Sequence, residues 1–260
     1  MARQLLDAVR ADASLWGFRP EAAIAAVEIA GTTPARQAYL DAVLDGLHDP
    51  EVASGFLAER VRAASRAGRE DELGRLYPIL RRRFPGTAAA NAVAILDPAR
   101  RVRPGHEVPD FDLPALADPP RTPPGARVTR AALRGKLVLL DFWGTWCIPC
   151  RGEVKFLEQA FARHKDEGFV IVSIAAYDKE SRVRNFRRSV SPMPWTHVVL
   201  GADQDEALAL FETKSFPTSF LVDAGGRILA AGEELRGEGL ERAVASALAA
   251  PRGLDGAPAH

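Results

Sequence analysis

Phe142-Trp143-Gly144-Thr145-Trp146-Cys147-Ile148-Pro149-Cys150 carries both cysteines of a 260-residue chain, two residues apart. The apolar run Leu137-Val138-Leu139-Leu140 before it is too short for a buried helix and reads as a buried strand. After it, Val154, Leu157, Ala160, Phe161 and His164 recur on one helical face, which predicts a helix over Glu153–His164. A strand, a tight connection holding C-x-x-C and then a helix is the setting in which this motif performs redox chemistry.

The chemistry turns on the first sulfur. A thiol must ionise before it attacks a disulfide, and a free one does so only near a pKa of about 8.5. At the mouth of a helix, Cys147 faces unpaired backbone N–H groups and the positive end of the dipole, both of which favour thiolate. Cys150, one turn on, is expected to lie deeper and to attack a mixed disulfide formed on Cys147. Pro149 suits a first helical turn, where its missing N–H costs nothing. A structural disulfide and half of a zinc site are the other uses of such a pair. Zinc needs two more ligands, and the five histidines offer no H-x₃₋₅-H partner.

The stretch resembles the active site of thioredoxin-fold proteins, and most closely the TlpA/ResA-like thiol-disulfide oxidoreductases. The resemblance runs from about Val108 to Ala249. Val108-Pro109-Asp110-Phe111-Asp112-Leu113 is similar to that family's opening strand, and Leu133-Arg134-Gly135-Lys136 to its approach to the central strand. Phe216-Pro217-Thr218, followed by Phe220-Leu221-Val222-Asp223, resembles its cis-proline segment and next strand. The resemblance implies a cis peptide before Pro217 and a partner-pairing backbone at Phe216. It implies substrate contacts from Trp146, Ile148 and Pro149 as well, with Trp146 at the rim and Trp143 in the core. Asp141 matches the buried acid of thioredoxin, whose desolvated carboxylate takes the proton from the second cysteine, here Cys150; the alternative is an acid reaching solvent at the strand end. Glu153 matches the glutamate of C-x-x-C-x-x-E, which tunes the cysteine pair in ResA-like members; a first-turn acid stabilising the helix dipole is the alternative. Lys155 stands where the family usually has proline, and Thr213 and Ser215 where it often has Val and Gly. A peroxiredoxin shares the fold, but its P-x-x-x-T-x-x-C pattern is absent, with Gly144 three places before Cys147.

The remaining chain is divided by composition. Segments Arg3–Trp16, Pro20–Ala30, Thr33–Leu47, Pro50–Ala67 and Glu70–Phe84 have helical periodicity, so residues 1–97 are expected to be all-α. The last two, around Gly68-Arg69, resemble one tetratricopeptide-like hairpin, although no period of about 34 residues repeats. Eight of the 19 prolines lie between Asp97 and Arg127, and residues 98–127 read as a lead-in in which Phe111 and Leu113 alternate like a short edge strand. Residues 128–250 alternate strand and helix. The strands are expected at Phe169–Ala175, Trp195–Leu200, Ser219–Val222 and Arg227–Ala231, the last two joined by the turn Asp223-Ala224-Gly225-Gly226. Helices are expected over Lys179–Val190, with Val183, Phe186 and Val190 inward, after an Asp203 cap with Ala207, Leu208, Leu210 and Phe211, and over Gly239–Ala249. Residues 251–260 read as a frayed tail. The fold class is therefore α/β, a thioredoxin fold with a central mixed sheet flanked by helices, preceded by an all-α helical-hairpin domain.

Charge sets limits on partners. With 34 basic and 34 acidic residues, the net charge is zero and there is no global attraction to nucleic acid; Arg81-Arg82-Arg83 reads as a solvated helix end. No apolar segment approaches the roughly 20 residues of a membrane span. Met1–Arg10 lacks a signal peptide's apolar core, so the chain as given is expected in the cytoplasm. The periplasm or cell envelope, where members of the resembled family usually work, is the alternative if a further segment precedes it. The expected activity is disulfide exchange with a client protein, most simply as a reductant, with no cofactor beyond a redox-active Cys147–Cys150 disulfide. A reductase or a membrane electron donor restores the dithiol. A redox-sensing adaptor that recruits clients through its helices, and a thiol peroxidase, are the other functions considered.

Overall fold

The computed structural model describes residues 2–11, 15–201 and 205–250. The chain divides into two compact units, Met1–Ala99 and Arg100–His260.

The N-terminal unit is helical: α1 (Ala2–Ala8), α2 (Leu15–Phe18), α3 (Glu21–Ala30), α4 (Pro34–Gly46), α5 (Pro50–Arg66), α6 (Glu70–Arg83) and a short α7 (Ala88–Ala92). Caps set the boundaries of the central helices. Thr33 accepts from Arg36 N before Pro34, and Asp49 accepts from Glu51 N and Val52 N before Pro50. Gly68, at φ +65°, turns the chain between α5 and α6. Leu57, Val61, Leu73, Leu76 and Leu80 pack into the unit's core with Leu40 and Val43. Arg81, Arg82 and Arg83 fill the exposed last turn of α6. One expectation fails here, because the segment expected to run as a helix over Arg3–Trp16 stops at Ala8. Its freed carbonyls are taken by side chains: Tyr39 Oη donates to Val9 O at 2.7 Å and Trp16 Nε1 to Arg10 O at 3.1 Å.

The C-terminal unit is built on five strands: β3 (Leu137–Trp143), β4 (Phe169–Ala176), β5 (Thr196–Leu200), β6 (Thr218–Val222) and β7 (Ile228–Ala231). They lie in the order β5-β4-β3-β6-β7. β3 is parallel to β4, and β4 to β5; β6 runs antiparallel to both β3 and β7. The parallel steps need crossovers, which are supplied by α9 (Ile148–His164) and α10 (Glu180–Ser189). α11 (Asp205–Leu210) precedes β6, and α12 (Glu238–Ala249) closes the unit. All seven residues of β3 are buried, as a strand in the middle of a sheet covered on both faces requires. The sheet is the mixed α/β arrangement expected.

The proline-rich lead-in packs on this unit from Arg100 onward. β1 (Asp112–Pro114) pairs with β2 (Arg127–Thr129) as a separate two-stranded ribbon, with the short α8 (Arg130–Leu133) following. Phe111 and Leu113 are buried, but the strand begins only at Asp112 and does not join the edge of the main sheet. On either side of the ribbon the lead-in lies against both sheet margins. Gly105 N and Val108 N donate to Ile228 O and Gly226 O beside β7, while Leu116 N donates to His197 O of β5 at 2.7 Å.

Helix α10 gives a second correction. Val183 and Phe186 face inward, but Val190 is 61% exposed, because the helix ends at Ser189 and the next residue leaves its period. The Asp203 cap and the 251–260 tail lie outside the described residues.

Candidate active site

β3 delivers the chain to the motif and α9 carries it away. The helix starts at Ile148, with Pro149 in its exposed first turn as expected, and its inward apolar face begins at Val154. Cys147 is therefore the N-cap, and its Sγ accepts from Cys150 N at 3.2 Å. The two sulfurs are bonded to each other at 2.04 Å. Both cysteines are buried, Cys147 at 4% exposure and Cys150 at 2%. A backbone donor and the helix dipole thus converge on the Cys147 sulfur, as a thiolate leaving group or nucleophile needs.

Around the disulfide the surface is apolar. Trp146 is 48% exposed, Ile148 78% and Tyr177 45%. Trp146 does not swing freely, since its indole Nε1 donates to Ala176 O at 3.0 Å. The ring lies so close to Gly144 that a Cβ there would stand 2.5 Å from the indole nitrogen, so glycine is required for this close approach. Phe216 meets Trp146 edge-on at 5.5 Å and Tyr177 at 6.1 Å. The Phe216–Pro217 peptide is cis. The motif loop, the end of β4 and the cis-proline segment are thus joined by one aromatic row.

Asp141 lies on β3, wholly buried, and does not reach solvent. Burial pushes its carboxyl up to about 6, against the pull of Arg236 and two serine hydroxyls; the Glu153 charge adds to the rise. Ser219 Oγ, on β6, donates to Oδ1 at 3.1 Å, and Ser173 Oγ, on β4, donates to Oδ2 at 3.3 Å. Each hydroxyl oxygen in turn accepts from a fixed donor: Trp195 Nε1 reaches Ser173 Oγ at 2.9 Å, and Arg236 Nη1 reaches Ser219 Oγ at 3.2 Å. A hydroxyl has one proton, so a donor on its oxygen directs that proton to the carboxylate. The result is a polar chain across the sheet that accepts a charge inside the core at a midpoint near neutrality, suited to proton transfer.

Glu153 does not serve the helix dipole. It sits in the second turn of α9, and its Oε2 accepts from Gly237 N at 2.8 Å, tying the motif helix to the start of α12. Three side chains that sequence reasoning missed complete the surroundings. Asp178 is buried at the end of β4 and accepts Thr145 N at 2.7 Å and Lys179 N at 2.8 Å, which fixes the loop before the cysteines. Arg236 donates to Pro217 O as well as to Ser219. Tyr177, at φ +53°, turns its ring toward Phe216. No local motif announces any of them; an acid two residues after the run Phe169–Ala176 is the one visible signal, for Asp178. Among the described residues, no group of three or more His, Cys, Asp or Glu is arranged to hold a metal, and no helix is long and apolar enough to cross a membrane.

Residues 135–228 match the family described as Thioredoxin-like. The matched segment lies wholly within the C-terminal unit. Curated proteins similar to this chain include "Thiol-disulfide oxidoreductase ResA" of Bacillus cereus, 29% identical over 134 residues, 52% of this chain and 70% of that protein. The protein of the same name from Bacillus subtilis (strain 168) is 33% identical over 106 residues, 40% of this chain and 57% of its own length. Among solved structures, a thiol:disulfide interchange protein from Bacteroides sp. aligns with TM-score 0.50 and 27% identity, covering 59% of this chain and 95% of that one. The resemblance drawn from the cysteine and proline segments therefore holds for the fold, and the homologues are named thiol-disulfide oxidoreductases.

Proposed function

We propose that this chain is a thiol-disulfide oxidoreductase that reduces disulfides in client proteins through Cys147 and Cys150. The observation that carries the reading is the Cys147 sulfur at the N-cap of α9, with a buried acid on the strand that leads to it. In the reduced enzyme the Cys147 thiolate attacks one sulfur of a client disulfide, forms a mixed disulfide and expels the client's other sulfur as thiolate. Cys150 gives its proton to the Asp141 carboxylate, which burial has tuned to a midpoint of about 6. The Cys150 thiolate then attacks Cys147 Sγ and releases the second client sulfur. Two electrons have passed to the client, and the enzyme is left with the disulfide seen here. A dithiol reductase or a membrane electron donor returns them; no metal or organic cofactor takes part in this exchange.

Trp146, Ile148, Pro149, Phe216 and Pro217 form the docking rim in this proposal. Trp146 and Ile148 offer apolar surface, and the backbone at Phe216 pairs with an extended client segment. Cys150→Ser tests the assignment. That variant should accumulate clients as mixed disulfides on Cys147, released by reductant, and Cys147→Ser should accumulate none. Normal client binding with no mixed disulfide would support an adaptor instead. The identity of the trapped clients also places the reaction in the cytoplasm or the envelope.

A further inference from the structure

The connection between β7 and α12 supplies neither cysteine nor cis-proline, yet two consecutive residues on it reach opposite halves of the site. Gly237 N donates to Glu153 on the motif helix. Arg236 turns the other way, with Nη2 donating to Pro217 O and Nη1 to Ser219 Oγ, and the Ser219 hydroxyl donates in turn to Asp141 Oδ1. We propose that Arg236 is a positioning residue for disulfide exchange: one guanidinium holds the carbonyl of the cis-proline, against which the client docks, and the hydroxyl on which the buried acid rests. This inference rests on the exchange reaction proposed above.

Arginine suits the task because its rigid planar fork presents separate donors to two acceptors at once, whereas a lysine ammonium is a point charge on a flexible stem. The elements packed around Asp141 each present one group: Ser173 from β4, Ser219 from β6, Glu153 from α9 and Arg236 from the connection. Only two of these groups are charged, and they oppose one another. Glu153 disfavours the Asp141 anion and Arg236 favours it. Arg236 therefore ties client docking at Pro217 to the readiness of Asp141 to receive the Cys150 proton.

The test compares a peptide disulfide, insulin, with the small disulfide 5,5′-dithiobis(2-nitrobenzoate), which has no backbone to pair at Pro217. Arg236→Met should raise KM for insulin tenfold or more, the scale of one lost charge-assisted hydrogen bond. It should leave KM for the small disulfide near the wild-type value and move the pH midpoint of single-turnover reduction upward, because the charge that favours the Asp141 anion is gone. Arg236→Lys should restore the pH midpoint but not KM. Ser219→Ala, which leaves the grip on Pro217 in place, should shift the midpoint alone. If Arg236→Met slows both substrates equally and leaves the pH profile unchanged, in proportion to any loss in thermal melting, Arg236 is only structural and the inference fails. Wild-type protein that turns over neither substrate would overturn the exchange reading itself, and this inference with it.

Discussion

Replacing Asp141 with Asn should stabilise the C-terminal unit at neutral pH and remove a pH dependence that wild type shows. The carboxyl rises from 3.8 to about 6 on folding because burial disfavours its charge. Below pH 3.8 it is protonated in both states and costs nothing. Between 3.8 and 6 the folded state binds more protons than the unfolded one, so stability falls as pH rises and levels off above the folded value. The two-unit difference, at about 1.4 kcal/mol each, amounts to about 3 kcal/mol at pH 7. Asn carries no charge, but its amide cannot accept from both serines, which costs about 1 kcal/mol. The net gain should therefore be about 2 kcal/mol at pH 7, with a small loss at pH 4. Native-state hydrogen exchange of the β3 amides, corrected for intrinsic rates, measures this within one unit and avoids a two-unit melt. Parallel pH dependences in wild type and Asp141→Asn would refute the reasoning. The same variant should slow the second step of exchange and lengthen the life of mixed disulfides.

Two further substitutions probe the surroundings. Gly144→Ala places a Cβ 2.5 Å from the Trp146 indole nitrogen, so the ring must leave Ala176 O; a loss of about 1–2 kcal/mol and weaker client capture are expected, with altered tryptophan emission as the readout. An unchanged spectrum would show that the ring has room to adjust. Glu153→Ala should speed amide exchange at Gly237 about tenfold, while Glu153→Gln keeps an acceptor and the protection. Both should lower the Asp141 midpoint, since a like charge is removed.

The parts of the site that were readable from sequence are those made within one stretch of chain. Cys147 and Cys150 are set by their spacing before a helix; Pro217 and Asp141 were legible through resemblance, each beside a strand whose apolar run was unmistakable. Arg236 and Asp178 are not legible, because the bonds that bring them to the site reach residues 17 to 33 positions away and form only once β4 and β6 flank β3. The same applies to the serines: Asp141 stands in register with Ser173 on one side and Ser219 on the other, and no single strand shows that pairing. The misplaced side chain has a local cause: the period that would turn Val190 inward stops one residue earlier, where α10 ends at Ser189.

The lead-in from Arg100 to Arg127 is more than a spacer. By lying along β7 at Gly105 and Val108 and along β5 at Leu116, it occupies hydrogen-bonding positions on both outermost strands. Trimming the chain at Val128, where strand and helix begin to alternate, would bare two sticky flanks together and invite the fragments to zip onto one another. A catalytic piece that stays monomeric has to keep its proline-rich selvedge.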